Sequence, residues 1–111
     1  MTLLNDTLMV WCSCPDRDVA RELARLAVEQ RLAACVNVIE SVTSVYRWEG
    51  AIEEATEVLL LAKTRSDAFS KLCNCWTEAH PYELPEVVAV PITSGSEPYL
   101  QWIQQTVSPP A

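Results

Sequence analysis

A chain of 111 residues, half of them hydrophobic, is long enough to bury a core without disulfides or a structural metal. Its formal net charge of −7, with the basic residues scattered rather than clustered, excludes nucleic acid and anionic membrane surfaces as partners. Nothing approaches the length of a membrane span, and MTLLNDTLMVW has neither the basic start nor the small-residue cleavage site of a signal peptide, so a cytoplasmic protein without membrane insertion is expected. The five cysteines, an odd number, are then expected as free thiols. The sequence reads as one domain, residues 1–111, with an ordered core from about 8 to 106 and a short frayed tail, SPPA.

The apolar run LMVWCS (8–13) predicts a strand that stops at Pro15. Asp16 is placed to cap a helix in which Val19, Ala20, Leu23, Ala24, Ala27 and Val28 recur at helical spacing, ending near Arg31. Residues 33–47 and 52–64 are rich in β-branched and aromatic side chains without helical periodicity, and Glu49-Gly50 between them suits a hairpin turn. Ser66 is placed to cap a second helix, whose Phe69, Leu72, Cys73 and Trp76 lie at i, i+3, i+4 and i+7. That helix closes at His80, because a residue before proline avoids helical geometry. EVVAVPI (86–92) reads as a last strand, and Ser96, followed by Glu97 and Pro98, opens a terminal helix.

The order β-α-β-β-α-β plus a terminal helix is the split βαβ, ferredoxin-like α+β sandwich, with both crossover helices on one face of a four-stranded sheet. VLLLA (58–62) and VVAV (87–90) are apolar at successive positions, so both faces of those strands need cover. The expected cover for the second face is another copy of the same sheet, which makes the chain an obligate oligomer.

The segments RLAACVNVIE (31–40), SVYRWEG (44–50), EVLLLAKT (57–64), HPYELPEVVAVPI (80–92) and YLQWI (99–103) resemble, in order and spacing, the signature segments of the CutA divalent-cation tolerance proteins. The resemblance spans nearly the whole chain. It implies a homotrimer similar in architecture to the nitrogen-regulatory PII trimer, a role in tolerance of copper and other divalent cations, and, as an alternative, a trimeric signalling or scaffold module that binds a small ligand or partner protein at clefts between subunits.

His80, the chain's only histidine, is read from the residues alone as a metal ligand, a general base or a structural group closing the second helix. In the family pattern the copper-associated positions are a cysteine at the end of the first strand and the histidines before Pro-Tyr, which fall on Cys12 and His80; Ala79 stands where a second histidine precedes the motif in other members. Cys75 occupies a position where some members also carry cysteine. Thiolates with an imidazole suit Cu(I), and Glu86 would suit a harder or more transient ion. Cys73 and Cys35 read as core, and Cys14 as displaced from the strand by Pro15. Tyr46, Arg47, Trp48, Glu57, Lys63, Tyr82 and Trp102 are read as lining an intersubunit cleft, either as interface packing or as a ligand pocket. No enzyme is expected: Gly50 and Gly95 are the only glycines, no nucleophile elbow is present, and no second histidine can relay a proton.

Overall fold

β1 (Thr7–Cys14) lies at the centre of the structure, a computed structural model that describes residues 6–108. The tail expected at the C-terminus falls, from residue 109 onward, outside the described residues. The strand runs through Cys14, one residue further than LMVWCS suggested, because Pro15 follows the last ladder pair rather than entering it. Asp16 caps α1 (Arg17–Glu29), its carboxylate accepting from the Val19 N–H at 2.9 Å. Arg31 then takes a left-handed conformation (φ 58°), so that its own N–H reaches the Val28 carbonyl and that of Leu32 the Ala27 carbonyl. This is a Schellman closure with arginine where glycine is usual, and it stops α1 at Glu29 rather than near Arg31. Val28, expected on the buried stripe, is 44% exposed.

β2 (Cys35–Trp48) and β3 (Ala51–Arg65) form a long antiparallel hairpin turned at Glu49 and Gly50, both at positive φ. One extra residue in β2 between Ile39 and Val42, with Ser41 at φ 63°, makes a β-bulge. Beyond it the alternation of β2 is shifted, so Tyr46 and Trp48 share a face with Glu57 and Leu59 of β3.

α2 (Phe69–Ala79) is entered through a 3₁₀ turn, Ser66–Ala68, with no side-chain cap. Ser66 therefore does not cap the helix as expected; its carbonyl instead accepts from the Phe69 N–H, which meets one early amide by the tighter turn. Leu72 and Trp76 of the predicted stripe are fully buried, and the Trp76 indole N–H donates to the Leu23 carbonyl at 3.0 Å, tying α2 to α1. β4 (Val87–Pro91) completes the sheet, and α3 (Glu97–Thr106) begins at a Ser96 cap.

The sheet order is β2-β3-β1-β4, antiparallel throughout, as the ferredoxin-like fold requires. On the side of the sheet that faces α1 and α2, Val10 and Cys12 of β1 and Leu60 and Ala62 of β3 are fully buried. The odd-numbered residues of these strands face the other way. α3 covers one end of that second face, where the Gln104 amide donates to Thr7 Oγ1 at 2.8 Å, so the chain does hold one covering element beyond the two crossover helices. The rest stays open: Met9, Trp11, Leu59 and Leu61 are half-buried, and Val88 and Val90 are 51% and 42% exposed. Among the described residues no helix is long and apolar enough to cross a membrane.

Candidate metal centre and adjoining cavity

Strand alternation puts Cys12 and Cys14 on the same, helix-facing side of β1, where both are fully buried. His80 joins them from α2. Pro81 forces it out of helical geometry (ψ 139°), and its ring turns back over the end of β1. The Tyr82 N–H donates to His80 Nδ1 at 3.1 Å, which leaves Nε2 to carry the proton and donate it to the Ser13 carbonyl at 2.8 Å. The ligand atoms of Cys12, Cys14 and His80 lie within 4.8 Å of one another, and these are the cysteines and histidine that the structure brings together.

The two thiols are electrically unequal. Their mutual hydrogen bond raises the pKa of Cys12, helped by burial and by the charge on Cys14, and lowers that of Cys14 against an opposing effect of burial. Cys14 is thus the more acidic of the two, while the Cys12 thiol donates to the Ser13 carbonyl at 3.9 Å.

Two thiols and an imidazole form a donor set for a soft ion. The sulfurs need only lose their protons to ligate, whereas both nitrogens of His80 are committed to the backbone. The imidazole can enter coordination only by surrendering a bond to Ser13 or Tyr82. The donors therefore fit a soft metal through the sulfurs first.

Cys75 and Glu86, the other two expected ligands, lie outside this group. Cys75 sits on α2 beside a surface depression with Lys71 and Glu78, and burial followed by the Glu78 charge pushes its thiol up. Ser13, between the two cysteines, points to the opposite side of β1 and donates to Glu86 Oε1 at 2.8 Å. Cys14 is the member that sequence reasoning set aside. Its signal was the Cys-x-Cys spacing itself, since residues two apart on a strand share a face.

That opposite side of β1 opens into a cavity of about 370 Å³. Five residues expected at a cleft, Tyr46, Arg47, Trp48, Glu57 and Tyr82, line it together with Ser13, Glu83 and Glu86. The Tyr82 hydroxyl donates to Glu57 Oε2 at 2.6 Å, and burial and then that carboxylate push the phenol's pKa up. Lys63 and Trp102 are elsewhere: Lys63 donates to the Asn37 side chain on the open sheet face, and Trp102 lies on α3 with its ring 5.4 Å from that of Tyr99.

The profile of the CutA1 divalent ion tolerance protein family matches residues 8–106. The human "Protein CutA" is 50% identical over 93 residues, 84% of this chain; the chain spans about half of that relative's length, 52%. The divalent-cation tolerance protein CutA of Thermus thermophilus is 46% identical over 97 residues, covering 87% of this chain and 94% of that protein. The solved structure from the same organism superposes with a TM-score of 0.90 at 44% identity, over 92% of this chain and 99% of that one. Relatives differ in compartment: the Archaeoglobus fulgidus structure, with a TM-score of 0.89 at 35% identity over 92% of this chain and 99% of that one, is described as periplasmic. The Arabidopsis thaliana relative, 39% identical over 90% of this chain and 55% of its own length, is described as chloroplastic.

Proposed function

Because the chain belongs to the CutA1 divalent ion tolerance protein family, we propose that it serves metal tolerance by binding copper or a similarly soft ion at the Cys12, Cys14 and His80 cluster. The observation that carries this reading is the convergence of three ligand atoms within 4.8 Å in a buried setting. When bound, the metal would sit on two thiolates, which favour Cu(I) over oxygen-seeking ions. Cys14 supplies the more acidic thiol, and His80 holds the end of α2 against Ser13 so that its imidazole stays beside the sulfurs. The role is sequestration rather than catalysis, in the cytoplasm, with no nucleic-acid or membrane partner.

We further propose that the working form is the homotrimer. The exposed Val88 and Val90 and the half-buried Trp11 and Leu61 form an apolar sheet face that a second copy can cover. A signalling or scaffold module, the other role implied by the resemblance, is not the reading that the buried thiols favour.

Titrating the protein with Cu(I) against a chromophoric chelator tests the metal site. One ion per chain is expected, with affinity falling about a hundredfold or more in Cys12→Ser and Cys14→Ser and unchanged in Cys75→Ser. Equal affinity in all four proteins would overturn the site. Acid should weaken binding, because protons compete with the ion for the sulfurs.

A further inference from the structure

Glu57 presents a problem that the metal site does not solve. It is only 7% exposed, yet none of the ion pairs among the described residues includes it. A buried carboxylate normally has a positive partner, since desolvating an isolated charge is strongly unfavourable. Its hydrogen bond from Tyr82 engages Oε2 but supplies no countercharge.

The cavity beside it supplies both room and a matching wall. At about 370 Å³ it falls in the range of sites that hold small molecules, roughly 300–1,000 Å³. Glu83 and Glu86 add two carboxylates to that of Glu57, against the single cation Arg47, whose side chain makes no ion pair with any of them within 4 Å. Tyr46, Trp48 and Tyr82 add three aromatic rings, the surfaces that attract a cation through their π faces. The bulge at Ser41 matters here, since it is what turns Tyr46 and Trp48 to the side of Glu57.

We propose that this cavity binds a small organic ammonium ion, with Glu57 as its countercharge and the Tyr46, Trp48 and Tyr82 rings as its walls. Two carboxylate oxygens without a hydrogen bond from the described residues, Oε1 of Glu57 and Oε2 of Glu86, are the acceptors for its N–H groups or the anionic neighbours of its methyls. The site lies on the opposite side of β1 from the thiols and is independent of the metal reading.

Tryptophan fluorescence and calorimetric titration of the assembled protein with choline and with putrescine test the proposal, with 3,3-dimethylbutan-1-ol as the uncharged counterpart of choline. Saturable binding of choline or putrescine is expected, about tenfold or more tighter than that of the neutral alcohol. Glu57→Gln, which keeps the shape and an acceptor for Tyr82, should remove that preference. If that variant does not fold, Glu83→Gln at the exposed rim should still lower cation affinity severalfold. No binding of either cation, equal affinity for the neutral alcohol, or retention of the preference in the variant that folds would overturn it. So would failure to bind accompanied by a Glu57→Gln change in oligomer size, which would show that a second copy fills the cavity.

Discussion

The His80 imidazole and the Ser13 carbonyl are joined by a 2.8 Å hydrogen bond that spans 67 residues of sequence and fastens the end of α2 to the end of β1. Since Tyr82 donates to the other ring nitrogen, the neutral ring is satisfied at both ends within the chain. His80→Ala should therefore cost about 1–3 kcal/mol of stability, the usual cost of leaving buried polar groups unpaired, in addition to any effect on copper. Urea unfolding of metal-free protein measures it, and an unchanged midpoint would show that the bond contributes nothing to the fold.

The two faces of the sheet make different demands on neighbouring residues. Leu60 is fully buried beneath the helices, whereas Val88 is 51% exposed on the open face, across the ladder from Trp11. Leu60→Asp should abolish folding, because a buried unpaired carboxylate costs on the order of 5 kcal/mol or more, comparable with the whole stability of a domain this size. Val88→Asp should leave a folded subunit and break the proposed trimer. Sedimentation equilibrium distinguishes the two; a Val88→Asp protein that keeps the wild-type mass would remove the open face from the interface.

Alkaline pH should weaken the fold through Tyr82. Its pKa is raised by burial, by the hydrogen bond to Glu57 and by that residue's charge. Below the unfolded phenol's value of about 10 both states hold the proton and the contribution of Tyr82 is complete. As pH climbs past about 10 the unfolded chain releases its proton first, so stability falls until the higher folded-state value is passed. Tyr82→Phe should cost about 1 kcal/mol at neutral pH, through the lost bond, and flatten the decline above pH 10. Denaturation midpoints between pH 8 and 11 supply the comparison; parallel curves for the two proteins would contradict it.

Where one residue's chemistry decides the local structure, sequence was a sufficient guide. Asp16 and Ser96 cap the helices expected of them, and Pro81 ends α2 at His80. The unforeseen features depend on tertiary balance. Arg31 and Ser41 adopt left-handed backbone without being glycine, and the second of these shifts the face of an entire hairpin arm. α3 was legible as a helix but not as a partial cover for the open sheet face, because that depends on where the chain returns after β4. Of the candidate ligands, Cys12 and His80 lie together, but Cys14 took the place assigned to Cys75. A strand's alternation brings two thiols together more reliably than a helix and a strand that merely approach each other.

X-ray absorption at the copper edge of Cu(I)-loaded protein counts the atoms on the metal and so decides whether the paired thiols hold it. Two sulfur neighbours per copper are expected in the wild type, one in Cys14→Ser and two in Cys75→Ser. A first shell of nitrogen and oxygen alone in the wild type would contradict binding by the thiols.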